Sequence, residues 1–155
     1  MKGVSMTLTY LTLTAFGIPR EVTVYAVILI EMFLTWGYYE LTGRRDFSLA
    51  SPLLAGYLAT YPENWPWVIA SFVISLLVIE LFYWRFLFYG MRSLYLAMTV
   101  SSLIILILLG ASITSLLMST LPGLLAYDVH TSMDRKRTLI ASWGLILITS
   151  FMMSW

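Results

Sequence analysis

Ser51-Pro52-Leu53-Leu54-Ala55-Gly56-Tyr57-Leu58-Ala59 is too apolar for a loop and too short to cross a bilayer as a straight helix. It sits in an apolar segment, 47–60, of 14 residues. Such a helix reaches roughly 21 Å, against a hydrocarbon core of about 30 Å. Pro52 removes a backbone donor and Gly56 weakens a helix further. The stretch therefore predicts a broken or re-entrant segment, which is tolerated at membrane depth only where protein or a water-filled cavity covers it. An echo follows at Leu121-Pro122-Gly123-Leu124-Leu125-Ala126, inside a second short apolar segment, 113–127.

Longer apolar segments flank both. Residues 21–40, 67–84, 93–111 and 138–155 are each long enough to approach the hydrocarbon thickness. The expectation is an all-α polytopic membrane protein with four long transmembrane helices and two short broken or re-entrant ones. Residues 1–20 read as a retained lead-in, because threonines break their apolar run and no small-residue cleavage site stands out. Residues 21–155 read as a single membrane domain.

Composition agrees and narrows the classes. Of 155 residues, 60% are hydrophobic and only 11% charged, where soluble domains carry about 25%. A net charge of +1 gives no basic excess that would suggest nucleic acid. There is no cysteine, and His130 is the sole histidine, so thiolate chemistry and a His-rich metal site are excluded for this chain. No phosphate-binding Gly-rich Lys motif, nucleophile elbow or dinucleotide fingerprint is present, so the chain is not itself an ATP-using ligase.

The two halves, about 21–90 and 91–155, resemble each other. Gly43 precedes Gly56 by 13 positions, as Gly110 precedes Gly123. Ile69-Ala70-Ser71-Phe72 pairs with Ile140-Ala141-Ser142-Trp143. Three crossings per half would place the halves in opposite orientations, an inverted repeat of the kind seen in transporters. Charge fits: Arg44, Arg45, Arg85, Arg92, Arg135, Lys136 and Arg137 would then share the cytoplasmic side. Two re-entrant loops and four spans would instead put Arg85 and Arg92 outside.

Polar residues within this frame admit two readings each. Glu31 and Glu80 lie inside long spans, where a carboxylate is costly and suggests a proton relay or cation site; the alternative is a hydrogen-bonded structural role. Gly56 and Gly123 offer freed amides to an anion or close approach to a neighbouring helix. The basic residues set topology, or guide an anionic chain, or dock an acidic partner. Asp128, His130 and Asp134 read as a solvated loop rather than a catalytic or metal cluster.

The order of motifs resembles the CapC/PgsC family, the small membrane subunit of the poly-γ-glutamate synthase used in capsule biosynthesis. The resemblance runs over roughly 24–155. Glu40, Thr42 and Gly43 match its Glu-x-Thr-Gly; Gly56, Tyr57 and Leu58 match its Pro-Gly-Tyr-Leu, with Ala55 in place of proline. Tyr89, Gly90 and Arg92 match its Tyr-Gly-Arg-Arg, with Met91 for the first arginine. Pro122, Gly123, Leu124 and Ala126 match its Pro-Gly-Leu-Ile-Ala, followed by Tyr127 where the family has Asn.

The resemblance implies a multi-pass plasma-membrane subunit without catalytic residues or cofactor of its own. It implies a cytoplasmic Mur-ligase-like amide ligase as partner, which uses ATP and Mg²⁺ to activate a carboxyl group as an acyl phosphate. A further membrane-anchored subunit and the anionic polymer complete the assembly. Two alternatives are a free-standing small proton-coupled transporter using Glu31 or Glu80, and a structural subunit of another membrane complex.

Overall fold

The computed structural model describes Gly17 and residues 19–87, 89–112 and 118–153. Nearly all of the lead-in, the first part of the second short segment and the last two residues lie outside them. Among the described residues there is no strand. Helix α1 is Arg20–Thr42, α2 Ala50–Thr60, α3 Trp65–Phe86, α4 Met91–Leu109, α5 Leu121–Thr131 and α6 Arg135–Met153, with a 3₁₀ turn at Pro62–Asn64.

Local chemistry sets the helix ends. Pro19 opens α1, and Gly43 closes it in the left-handed region (φ 66°), its N–H donating to the Tyr39 carbonyl at 2.7 Å. Just ahead of α2, Ser48 Oγ accepts the Ala50 N–H at 3.1 Å. Asp134 caps α6, its Oδ1 accepting the Arg137 N–H at 3.1 Å.

The break expected inside the first short segment is not there; in the second, of which 113–117 lie outside the described residues, a turn at Ser119 and Thr120 precedes α5. Pro52 and Pro122 both lie in the first turn of their helices, where the missing N–H has no intrahelical partner to lose. Gly56 is helical within an unbroken 11-residue α2. The expected loop over 128–134 shrinks too, because α5 continues through Thr131.

The short helices are the interior of the molecule. From Ala50 to Ala59 every residue of α2 except Leu53 is buried, and α5 buries Leu121, Pro122, Gly123, Leu125, Ala126, Val129 and His130. Their packing is reciprocal. Helix α2 lies chiefly against α6 and then α1; α5 lies against α3 and α4; the two touch each other. In α1 the buried hydrophobic residue is Ile28, while Tyr25, Leu29, Phe33 and Leu34 are exposed.

Glycine makes the closest approaches. A Cβ on Gly56 would fall 2.2 Å from Ile28 Cδ1 of α1, and one on Gly123 would fall 2.3 Å from the Ala97 carbonyl oxygen of α4. Helices α3 and α6 meet at Phe72 and Trp143, whose rings stack edge-on with centroids 5.2 Å apart. Buried serines join the helices elsewhere: Ser71 Oγ donates to Ser101 Oγ at 3.0 Å, and Ser101 Oγ to the Ser119 carbonyl at 2.5 Å.

Among the described residues three helices are long and apolar enough to cross a membrane: Glu21–Thr42, Pro62–Phe86 and Met91–Leu109. That makes an all-helical protein of membrane character. The expected fourth long span is not among them. Helix α6 starts with Arg135, Lys136 and Arg137, and these bases dilute its apolar length.

Candidate functional site at the basic end

The helix ends gather the charged residues. The C-terminal ends of α1, α3 and α5 and the first turns of α2, α4 and α6 form one end of the bundle. Contacts between distant segments fix this. Tyr83 of α3 meets Tyr89 before α4 and His130 of α5, with ring centroids 5.1 and 5.0 Å apart. Seven of the nine Lys and Arg residues lie at this end: Arg44, Arg45, Arg85, Arg92, Arg135, Lys136 and Arg137.

Two ion-pair clusters tie this end together. In the first, Glu80 Oε1 accepts from Arg135 Nη1 at 2.6 Å and pairs with His130 Nδ1 at 2.8 Å, linking α3, α6 and α5. The His130 side chain is 5% exposed and that of Arg135 51%, so the former contact is shielded from water and the latter is not. In the second, Asp46 Oδ2 accepts from Arg137 Nε at 2.9 Å and from the Tyr38 hydroxyl at 2.6 Å, joining the α1–α2 connector to α6 and α1. Deeper still, the Ser48 hydroxyl donates to Asp128 Oδ2 at 2.5 Å, and the Ser48 N–H donates to Ser142 Oγ at 3.0 Å.

Two adjoining hollows open between these clusters. One, of ≈ 540 Å³, is lined by Arg44, Arg45, Asp134 and Arg137; the other, of ≈ 460 Å³, runs beside Tyr39, Tyr127 and Asp128. Both share the arginine pair Arg44 and Arg45. A paired guanidinium wall with hydroxyl and aromatic neighbours is suited to carboxylate or phosphate groups.

Comparison with protein-family models, curated proteins and solved structures finds no match to the chain. The site is therefore described from its own residues.

The residues singled out from sequence fall in three places. Glu40, Thr42, Gly43 and Arg92 lie at the basic end, all exposed. Thr42 Oγ1 donates to the Tyr38 carbonyl at 2.7 Å, which fixes the turn that places Arg44. Glu80 is also at this end, in the ion-pair cluster. Gly56, Tyr57, Pro122 and Gly123 lie inside the bundle, the glycines as contact points against α1 and α4. The Tyr57 hydroxyl accepts from Asn64 Nδ2 at 2.7 Å.

Glu31 stands apart from both groups. Its Oε1 accepts a hydrogen bond from Thr149 of α6, and its Oε2 is buried with no hydrogen-bond partner among the described residues. His130 and Asp128 are helical residues rather than parts of a solvated loop, and each has its own partner, Glu80 and Ser48. Among the described residues no group of three or more His, Asp or Glu is arranged to hold a metal. Tyr38, Asp46 and Ser48 were not singled out from sequence. Their importance depends on Arg137, Asp128 and Ser142, at least 80 positions away.

Proposed function

We propose that the chain is a multi-pass plasma-membrane subunit of a complex that makes and exports poly-γ-glutamate, and that it handles the anionic polymer at its basic end. The supporting observation is the convergence of Arg44, Arg45, Arg85, Arg92, Arg135, Lys136 and Arg137 on one end of an otherwise apolar bundle. By the positive-inside rule that end faces the cytoplasm, where a Mur-ligase-like partner would use ATP and Mg²⁺ to extend the chain. Arg44 and Arg45 line hollows open to such a polymer, and Glu40, Thr42 and Gly43 shape the turn that presents them. The motif order shared with the CapC/PgsC family supplies the identity of the polymer.

In this reading α6 is a fourth span and α2 and α5 are short membrane helices, so that two halves are inverted about the bilayer plane. Reciprocal packing of α2 on α6 and α5 on α3 supports it. So does the contact of Phe72 with Trp143, residues that pair in the repeat, since equivalent residues meet at a two-fold axis.

A tagged copy expressed in its own cells should bring down an ATP-dependent amide ligase and a membrane-anchored third subunit, and deletion of the gene should abolish glutamate polymer. Recovery of no ligase from cells that make no such polymer would remove this assignment. A proton-coupled transporter is the second reading, favoured by the Glu31 oxygen with no hydrogen-bond partner among the described residues; proton-coupled uptake in vesicles that Glu31→Gln abolishes would support it.

A further inference from the structure

The hollow of ≈ 460 Å³ has a charge arrangement that a polyanion alone does not use. Its walls include Trp36 and Tyr39 of α1, Arg44 and Arg45 of the connector, and Tyr127 and Asp128 of α5. Its size falls in the range of small-molecule sites, roughly 300–1,000 Å³. Among the described residues no ion pair joins Arg44 or Arg45 to a carboxylate, whereas Arg135 and Arg137 are engaged by Glu80 and Asp46. Arg45 is seated over the Tyr39 ring, 5.3 Å from its centroid, which orients the guanidinium without neutralising it.

Asp128 supplies the opposite charge. The Ser48 hydroxyl grips its Oδ2, and Ser48 is itself fixed by Ala50 and Ser142. Among the described residues Oδ1 has no protein donor and the carboxylate no ion-pair partner. Arg45 and Asp128 nevertheless line the same hollow. A pre-oriented carboxylate beside unpaired guanidinium groups is complementary to a zwitterion, with its anion on the arginines and its ammonium on the aspartate.

The amino end of a γ-linked glutamate chain is such a group. It carries an ammonium and a free carboxylate on one carbon, whereas every interior unit has an amide nitrogen instead of the ammonium. We propose that this hollow recognises the free amino end of the polymer, with Arg44 and Arg45 holding carboxylates and Asp128 holding the terminal ammonium. This rests on the polymer-handling reading above and deepens it: the amino end leads into the membrane subunit, and the carboxyl end stays with the ligase, where the next unit is added.

The test is isothermal titration of the full chain in phosphatidylglycerol nanodiscs with a γ-linked glutamate hexamer and with its N-acetylated form. A charge-assisted contact is worth about one to two decades of affinity, so the free hexamer should bind about tenfold or more tighter. Asp128→Asn, which keeps an acceptor for Ser48, should bring both ligands to the weaker value, and Arg45→Gln should weaken both. Equal binding of the two hexamers by the unaltered chain would overturn the proposal without any variant. So would persistence of the difference in Asp128→Asn, or free glutamate binding as tightly as the hexamer. Abolition of hexamer binding in phosphatidylethanolamine nanodiscs would show a lipid headgroup to be the occupant and would also overturn it.

Failure here and failure of the parent reading separate cleanly. Equal binding of both hexamers, with polymer lost on gene deletion, sinks only amino-end recognition. Acetylation-sensitive binding of an α-linked hexamer as tight as the γ-linked one, in cells without polymer, sinks only the choice of polymer.

Discussion

Two glycines with the same sequence signature differ at the atomic scale. The methyl of Gly56→Ala meets the Cδ1 of Ile28, the far end of a flexible side chain, whereas that of Gly123→Ala meets the Ala97 backbone. A side chain can rotate away and a helix backbone cannot, and overpacking costs about 1–3 kcal/mol. Gly123→Ala should lower the melting temperature in detergent clearly more than Gly56→Ala; equal shifts would show that α4 yields as readily as Ile28. Close approach to a neighbouring helix was one of two readings the sequence allowed at both positions, and it did not say which neighbour each glycine meets. It also misplaced the role of Pro52. A Pro in an apolar run reads as a break until the helix start is known, and the start of α2 follows Ser48, whose own anchors are Asp128 and Ser142.

At the scale of an element, Glu80 of α3 ties the end of α5 and the first turn of α6 through two contacts of unequal shielding. Arg135 reaches Glu80 from a half-exposed position, where such pairs contribute about 0–1 kcal/mol. His130 meets the same oxygen from a buried one, where a hydrogen bond to a charged group contributes about 1.5–3 kcal/mol. His130→Ala should therefore destabilise the detergent-solubilised protein more than Arg135→Ala, read by thermal unfolding. The reverse order would make the exposed pair the stronger of the two contacts at Glu80. Apolar length and periodicity revealed the long helices α1, α3 and α4 readily. They failed for the last turn of α5 and the start of α6, where Asp128, His130 and three bases look like a loop. Polar residues are accommodated in helix there because Glu80, Ser48 and Asp134 satisfy them, and such partnerships leave no local trace.

For the whole molecule the charge distribution makes a topological demand that the absence of native cysteine renders simple to check. Single cysteines at Met133 and Met91, both exposed at the basic end, should label from the same side of sealed vesicles, and one at Glu63, in the Pro62–Asn64 turn, from the other. Labelling of positions 91 and 133 from opposite faces would refute the six-segment arrangement. The membrane character was legible from hydropathy. Which helix covers which was not, because the α2–α6 and α3–α5 contacts connect segments remote in the chain.

That reciprocal packing also constrains the order of events during synthesis. Helix α2 is made early, yet its main covering helix, α6, is the last of the six to leave the ribosome. Until then the buried face of α2 has only α1 and, once it is made, α5 beside it. The first half cannot complete its structure alone, so the nascent chain must wait in the bilayer with its centre uncovered. Maturation is consequently a closing step, in which the arrival of α6 seals the earlier half and delivers Arg137 to Asp46 at the same moment. A chain truncated before α6 would lose the core of its first half rather than merely its last helix.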